Sequence, residues 1–217
     1  MRTPPVIASL ALLFGSPAHA TLLSNADFET PQAAGSQLIS TSGDWVQSGG
    51  VGQLAIHQAS WAQDTGESGT QGVWLKAFNT DLDHHFYQDV VATPGMKYTL
   101  DAAFRFDTNF ESNGSQVEMA LIWLDVGSSE ISRATHDVDD VLSTPGWNHT
   151  SVGATAPPGT TTVRSWFRFT TDSVIENSSQ ASVLIDTVSL TVIPEPLSGS
   201  LIGLGILVVG LLRRMTQ

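Results

Sequence analysis

Apolar and polar residues alternate along much of residues 21–192, and this alternation constrains the fold more than any other feature of the sequence. In Lys97–Phe106 one parity is apolar, namely Tyr98, Leu100, Ala102, Phe104 and Phe106. Successive side chains of a β-strand point to opposite faces, so the segment predicts a strand with one buried and one solvated face. Convincing helical spacing of apolar residues is not found in this region. The sequence therefore predicts an all-β domain.

A second alternating segment spans residues 161–169. Its apolar parity holds Val163, Phe167 and Phe169, and its other parity holds Arg164, Trp166 and Arg168. Further strands are predicted at 54–58, 72–77, 84–91, 118–126, 147–156 and 182–192, between clusters of Gly, Pro, Asn, Asp and Ser. Eight to ten such strands in a 217-residue chain favour one β-sandwich or jelly roll.

Charge and cysteine content restrict the partners. The chain contains no cysteine, so stability has to come from apolar burial or from a bound ion. Residues 21–196 hold all 21 acidic residues and only six of the nine basic residues. Nucleic-acid binding depends largely on Lys and Arg contacts to phosphate, so a nucleic-acid partner is not expected. Divalent cations and neutral polymers suit this composition better.

The first 20 residues have the features of a secretory signal peptide. Arg2 precedes an apolar run over residues 6–14, and Ala18-His19-Ala20 places small residues where a signal peptidase requires them. Cleavage is predicted after Ala20. Residues 1–20 are therefore excluded from the folded domain, which is predicted to span 21–192.

The other end of the chain, residues 193–217, predicts a membrane anchor. Residues 197–212 are apolar, about 24 Å long as a helix, and are followed directly by Arg213 and Arg214. The positive-inside tendency places these arginines in the cytoplasm and the domain outside. The order Pro194-Glu195-Pro196, short transmembrane helix, basic terminus resembles a PEP-CTERM sorting signal.

The PEP-CTERM resemblance implies processing by an exosortase, a membrane transpeptidase-like enzyme of bacteria that make exopolysaccharide and biofilm. The alternative is a plain C-terminal membrane anchor. Either interpretation predicts export by way of signal peptidase. The PEP-CTERM interpretation adds transient anchoring in the inner membrane and a final location at the cell surface or in the extracellular matrix.

The predicted domain also resembles the galactose-binding-like jelly rolls, a group that includes many carbohydrate-binding modules. The resemblance rests on short pieces in the order of that group: residues 22–29 (LLSNADFE), 43–45 (GDW), 87–90 (YQDV), 94–100 (PGMKYTL), Trp147 and 185–190 (IDTVSL). It implies the same fold. The function does not follow, because this fold also occurs in lectins, enzyme accessory modules and structural domains.

A calcium site is expected at the last strand. Asp186 shares its parity with Leu184, Val188, Leu190 and Val192, and a buried carboxylate requires a partner. In the galactose-binding-like family the positions of Asp186 and Glu29 help to hold a structural Ca²⁺. Calcium takes six to eight oxygen ligands, so Asn25, Asp27 or Asp44 are candidates to complete the shell. The alternative is that Asp186 caps a turn or faces solvent.

Catalysis has little support in the sequence. There is no cysteine nucleophile, no G-x-S-x-G motif and no phosphate-binding loop. Aspartates and histidines at 81–85 could bind a metal, but His84 and His85 should point to opposite faces of a strand, and Asp83 is predicted in the preceding turn. The acidic run at 137–140 is predicted to be a solvated loop.

Aromatic residues are better candidates for ligand binding, because a flat ring can stack on the C–H face of a sugar. Most of the six tryptophans should be buried. Trp166 has the parity of Arg164 and Arg168, and Trp61 lies in a loop-like segment, so these four residues are the predicted ligand contacts.

The predicted function is a non-catalytic, exopolysaccharide-binding surface or matrix protein. The alternatives are an exported carbohydrate-active enzyme and a purely structural envelope protein.

Overall fold

The computed structural model describes residues 20–30, 36–38, 43–51, 56–64, 69–78, 82–106, 115–138, 146–171 and 180–193. These ranges contain eleven strands and one turn of 3-10 helix at Ser60–Ala62. The strands are β1 (Ser36–Leu38), β2 (Val46–Val51), β3 (Ile56–Ala59), β4 (Gly72–Phe78), β5 (Leu82–Val91), β6 (Lys97–Phe106), β7 (Ser115–Leu124), β8 (Glu130–Asp137), β9 (Asn148–Thr155), β10 (Thr162–Thr171) and β11 (Gln180–Ile193).

The strands form two sheets that pack face to face. Sheet 1 has the order β1-β3-β4-β11-β6-β9, and sheet 2 has the order β2-β5-β10-β7-β8. Every neighbouring pair in both sheets is antiparallel. The predicted all-β fold and β-sandwich are confirmed.

The core lies between the sheets and follows the predicted alternation. In β6 the apolar parity is buried from Tyr98 to Phe104, and in β10 Val163, Phe167 and Phe169 are fully buried. At the centre the Phe86 ring stacks on the Phe167 ring, 5.0 Å between centroids. The indole of Trp45 lies 5.3 Å from the Phe86 ring. Burial of each such side chain stabilises the fold by about 1.5–3 kcal/mol.

The N-terminal segment joins the two sheets. Leu22 N–H donates to the Leu190 carbonyl (2.8 Å), which adds the segment to β11 of sheet 1. The Gln88 amide of β5 accepts a hydrogen bond from Ser24 N–H (2.7 Å) and donates to the carbonyls of Ser24 (3.0 Å) and Asp44 (3.1 Å). A buried Gln therefore ties this segment to sheet 2, which satisfies polar groups that burial would otherwise penalise.

The regular alternation expected for 182–192 is wrong in the middle of β11. The register of β11 against β6 shifts between Asp186 and Ser189, and Thr187 has a positive φ of 51°. Such a bulge changes which parity faces the core. Ile185 and Val188 consequently both join the main core, while Leu184 belongs to a separate cluster. Asp186 shares the parity of Leu184 and does not lie in one row with Val188.

Three strands were not predicted from the sequence. β8 is an edge strand whose side chains are almost all exposed, so it has no apolar parity to detect. β1 is only three residues long, and β2 contains two consecutive glycines. Gly49 of β2 needs its small size, because a Cβ there would lie 2.6 Å from the Asp83 carbonyl oxygen.

In the part of the chain that the structure describes, no helix has the length and apolarity needed to cross a membrane. The predicted signal peptide, apart from the exposed Ala20, and the predicted sorting segment from residue 194 onward lie outside the described residues.

Candidate functional site

The outward face of sheet 2 carries a group of rings and guanidinium groups. Its members come from β10, the central strand, from its neighbour β5, and from the edge strand β8. Trp166 and Tyr87 belong to a small cluster that is separate from the main core, which places them on the outer side of the sheet. We call the following six residues the arginine–aromatic face: His85, Tyr87, Arg133, Arg164, Trp166 and Arg168.

Strand register arranges these residues in rows across the sheet. In the central row Trp166 stands between Tyr87 of β5 and Ala120 of β7. In one flanking row Arg168 stands between His85 and Glu118, and in the other Arg164 stands between Asp89 and Ile122. Neighbouring strands are 4.7–4.9 Å apart, so five strands make a face about 19 Å wide. The face offers an aromatic centre with Arg168, His85 and Glu118 on one side of it and with Arg164, Asp89 and the apolar Ile122 on the other.

Guanidinium groups cover the Trp166 ring. The Arg133 guanidinium carbon lies 5.3 Å from the ring centroid and that of Arg168 lies 6.0 Å from it. His85 packs against the ring at 5.5 Å. Trp166 is therefore only 7% exposed. The predicted parity of Trp166 is confirmed, but its ring is not presented bare to solvent.

Each arginine of this face is held by a carboxylate in a two-pronged ion pair. Arg164 donates from Nε and Nη2 to Asp89 (2.7 and 2.9 Å), and Arg168 donates from the same atoms to Asp83 (both 2.7 Å). Such fork-to-fork pairs fix the orientation of a guanidinium as well as its position. The hydrogen bond from Arg168 lowers the pKa of Asp83, so this carboxylate stays ionised.

The third arginine is held in the same way. Arg133 donates to both carboxylate oxygens of Glu130 (2.8 and 2.6 Å). Both side chains are more than a third exposed, so this pair contributes at most about 1 kcal/mol. The hydrogen bond from Arg133 lowers the pKa of Glu130. Arg133 is thus ordered but weakly held.

Tyr87 is covered by Arg164, whose guanidinium carbon lies 3.7 Å from the ring centroid. The same arginine pairs with Asp89, so one side chain both stacks and forms a salt bridge. The neighbouring His85 stacks at 6.3 Å from Tyr87, and burial lowers the pKa of the His85 imidazole. His85 is accordingly a neutral donor and acceptor near pH 7.

Glu118 provides an acceptor with spare capacity beside this face. It stands opposite Arg168 in the strand register, but Arg168 donates to Asp83. The Glu118 Oε1 atom is buried and has no hydrogen-bond partner among the described residues. Burial raises the pKa of the Glu118 carboxyl, while the nearby charges of Arg133 and Arg168 oppose this effect.

The structure thus brings three of the four predicted ligand-contact residues together, namely Trp166, Arg164 and Arg168. Trp61 lies in the 3-10 helix of a different part of the fold, and its side chain is outside the described residues. Sequence analysis missed His85, Tyr87, Arg133 and Glu118. His85 and Tyr87 could have been found from the alternation of β5, where both occupy odd-numbered positions that share one face. Arg133 lies on a strand that was not predicted.

The expected calcium ligands lie elsewhere, where the N-terminal segment and β11 meet. Asp186 is buried and accepts hydrogen bonds from Asp64 N–H and Thr187 N–H, both at 2.7 Å. Burial is the main cause that raises the pKa of Asp186 to about 6, and the negative charges of Asp64 and Glu29 contribute to this rise. The carboxylates of Asp64 and Glu29 thus repel that of Asp186.

Glu29 is engaged with the start of β4. Its carboxylate accepts hydrogen bonds from Thr70 N–H (2.6 Å), the Thr70 hydroxyl (2.7 Å) and Gln71 N–H (2.9 Å). The candidate Asn25 bonds through its side chain to Thr30, and Asp27 accepts a long bond from Glu29 N–H. These contacts are local to the N-terminal loop.

The donor atoms near Asp186 are of a type that binds calcium. Carboxylate oxygens are the hard ligands that Ca²⁺ prefers, and an ion between Glu29 and Asp186 would relieve the repulsion described above. No group of three metal-ligating side chains converges within the described ranges. Backbone carbonyls and water would therefore have to supply most of the shell. Asp44 is half-buried and lies directly before Trp45 in the chain.

The other acidic and histidine residues take separate positions. His84 is buried and His85 lies on the outer face, as their adjacency predicted. Asp83 was expected in a turn, and this is wrong: it lies within β5 and pairs with Arg168.

Two further acidic positions lie elsewhere in the fold. His149 of β9 contacts Asp64, with His149 Nε2 3.2 Å from Asp64 Oδ2. Asp137 ends β8, while residues 139–140 are outside the described ranges.

No protein-family model matches the sequence, and a comparison with curated proteins finds no match. Similar solved structures do exist. The enzymatically active domain of tailspike protein 4 of bacteriophage CBA120 has a TM-score of 0.58 and 12% identity, over 80% of this chain and 21% of that chain. The Stig cyclase Fisc from Fischerella sp. TAU has a TM-score of 0.58 and 15% identity, over 81% of this chain and 98% of that chain.

A third structure, TmCBM61 in complex with β-1,4-galactotriose, has a TM-score of 0.48 and 16% identity, over 79% of this chain and 97% of that chain. At 12% and 15% identity, the similarity to the tailspike domain and the cyclase shows the fold that this chain shares with them. Any conclusion about function has to come from the side chains of the site.

Proposed function

We propose that this protein binds a carbohydrate on the arginine–aromatic face and that it is not an enzyme. The observation that carries the proposal is the arrangement around the central strand, where Tyr87 and Trp166 are flanked by arginines fixed by carboxylates. Sugar hydroxyls are both donors and acceptors. An array of fixed guanidinium donors and carboxylate acceptors beside aromatic rings matches this chemistry.

The rings play different parts in the proposed site. Arg133 has to swing away before a sugar can stack on Trp166, and its exposed pair with Glu130 opposes this only weakly. Tyr87 and His85 are partly exposed and are available to a ligand at the edge of the same row. Trp166 thus forms the floor of the proposed site, and the arginines are its polar contacts.

The carboxylates support a binding role over catalysis. Glycoside hydrolysis requires one carboxyl group that can donate a proton and a second that stays ionised. Asp83 and Glu130 are held ionised by Arg168 and Arg133, which favours structural roles for both. Glu118 has the raised pKa that an acid needs, so turnover of a polysaccharide that Glu118→Gln abolishes would favour the carbohydrate-active enzyme instead.

Export and sorting form a second part of the proposal, and they rest on the sequence. A signal peptidase would cleave after Ala20, and an exosortase would process the chain near Pro194-Glu195-Pro196. The helix at 197–212, with Arg213 and Arg214, would hold the chain in the inner membrane before release to the surface or matrix. Recovery of the intact chain, leader included, from the cytosol would refute this part.

A structural Ca²⁺ near Glu29 and Asp186 is also proposed. Burial is the main cause of the raised pKa of Asp186, and the charge of Glu29 adds to it, so the two residues are within electrostatic range of one another. Hydrogen bonds already join the N-terminal segment to β11 in this region, including Val188 N–H to the Ala26 carbonyl (3.0 Å). A cation there would strengthen an existing junction.

The binding proposal is tested by affinity electrophoresis of the purified protein in gels containing polysaccharides, with isothermal titration on any polymer that retards it. We expect retardation by at least one polymer, and a loss of roughly tenfold or more in affinity with Tyr87→Ala or Arg164→Ala. The matched control is Arg105→Ala, because Arg105 also lies over an indole, that of Trp147, but on sheet 1.

Two results would contradict the binding proposal. Absence of retardation by every polymer would leave the purely structural role. Equal losses in Arg164→Ala and Arg105→Ala would place the binding site away from the arginine–aromatic face.

A further inference from the structure

We infer that the ligand of the arginine–aromatic face is a neutral glycan, and that the ion pairs of this face exclude anionic polysaccharides. The inference rests on the proposed function and specifies the chemical class of its ligand. It is drawn from the pairing of charges on the outer side of sheet 2, not from the number of arginines alone.

The side-on Nε–Nη2 fork of each arginine on this face is occupied by a protein carboxylate. A carboxylate or sulfate is recognised best by a guanidinium that offers two parallel N–H donors. In Arg164 and Arg168 the Nε and Nη2 donors are directed at Asp89 and Asp83. In Arg133 the same donors are directed at Glu130. An incoming anion would find this fork occupied at each of the three positions, and at the remaining Nη1 edge it would meet an arginine whose charge is already balanced by a protein carboxylate.

The net charge of this surface also disfavours an anionic ligand. Three guanidinium groups are accompanied by five carboxylates on β5, β7 and β8, namely Asp83, Asp89, Glu118, Glu130 and Asp137. The whole chain has a formal net charge of −12. The potential at this face is consequently unfavourable to a polyanion at long range as well as in contact.

The pairs nevertheless leave many hydrogen-bonding groups for uncharged hydroxyls. A guanidinium has five N–H donors, and a two-pronged pair uses two of them. The paired carboxylates of Glu130, Asp89 and Asp83 keep lone pairs, and each of these side chains is more than a third exposed. Donors and acceptors therefore lie side by side next to Trp166, which suits hydroxyl groups that act as both.

The test compares retention of the purified protein on neutral polymers (galactan, arabinan, β-glucan, mannan) and on uronate polymers (polygalacturonate, alginate). Each is run at low salt and at tenfold higher salt. We expect retention on at least one neutral polymer that changes less than twofold with salt, and none on the uronates. Retention only on a uronate, decreasing with salt, would overturn the inference but not the proposed function. Retention on none of the polymers would overturn both.

A charge-pair variant makes the test sharper. The double substitution Asp89→Asn and Glu130→Gln frees the forks of Arg164 and Arg133 and keeps the shape of both side chains. We expect this variant to gain salt-sensitive retention on polygalacturonate, at least tenfold above the parent protein. Thermal melting checks that it is folded, and Asp125→Asn with Asp101→Asn, which removes the same charge away from this face, is the control. A folded variant without this gain would refute the role of the ion pairs.

Discussion

Arg133, on the edge strand of sheet 2, lies over the ring of Trp166 on the central strand, 5.3 Å from guanidinium carbon to ring centroid. A long side chain from an exposed strand thus covers the ring that the sequence analysis expected to be bare. The first prediction concerns this cover.

Replacing Arg133 by Ala should expose the Trp166 indole. We expect greater quenching of tryptophan fluorescence by acrylamide, and no such increase when Trp166→Phe is present as well. The stability should change by no more than about 1 kcal/mol, because the lost ion pair with Glu130 is exposed. Lys97→Ala, which removes an exposed cation from sheet 1, is the control, and equal quenching in Arg133→Ala and the parent protein would contradict the prediction.

The second prediction concerns pH and Glu118. Its pKa is raised in the folded protein by burial, so folding favours the protonated form. The stability that this preference contributes is fully present below the ordinary pKa and is lost as the pH rises through the folded-state pKa. Glu118→Gln should therefore be more stable than the parent protein at pH 7, with the gain disappearing towards pH 4. Urea denaturation at several pH values measures this, and a gain that is independent of pH would contradict it.

The third prediction concerns the close approach of the 3-10 helix to β4. A Cβ at Gly72 would lie 2.1 Å from the Ala62 carbonyl oxygen and 3.0 Å from that of Ile185. Both are backbone atoms that cannot rotate away, so Gly72→Ala should destabilise the protein by about 1–3 kcal/mol. Gly153→Ala in β9 is the matched control, since its nearest neighbour is the Thr99 hydroxyl at 3.3 Å. Equal melting temperatures for the two variants would show that the helix does not pack on β4 as described.

The fourth prediction concerns calcium. At a free concentration of about 100 times Kd, an ion bound near Asp186 would add about 2.7 kcal/mol of stability. For a domain of this size that is a rise in melting temperature of roughly 5–10 °C over the protein in EDTA. Asp186→Asn should abolish the rise, whereas Asp125→Asn should keep it. Asp125 is the matched control because it also accepts two backbone hydrogen bonds, in a turn far along the chain from Asp186. Identical melting curves with calcium and with EDTA would contradict the calcium proposal.

The strands with one apolar face could be predicted, because burial of that face imposes a period of two. β6 begins and ends at the predicted residues, and β10 shows the predicted division between Phe167 and Arg168. β8 could not be predicted in this way, since an edge strand exposed on both sides places few demands on its side chains. The bulge at Thr187 also left no clear signal, although it decides which residues of β11 face the core.

The candidate site was predicted in part for the same reason. The parity of β10 correctly placed Arg164, Trp166 and Arg168 together on one face. The register of β10 against β5 determines which carboxylates pair with these arginines. The pair of Arg168 and Asp83 is a diagonal contact between the two strands. Arg133 reaches Trp166 from two strands away. Contacts of this kind are set by the arrangement of strands in space, and spacing along the chain does not encode them.

The position of β11 determines how the sandwich responds to a mechanical load. This strand is bonded to β6 on one side, and on the other to β4 and then to the N-terminal segment through Leu22 and Val188. A force applied to the chain after Ile193 acts along a strand that is hydrogen-bonded to neighbours on both sides. Many hydrogen bonds would therefore have to break in shear at the same time. A strand at the rim of the sheet would instead peel away one bond at a time.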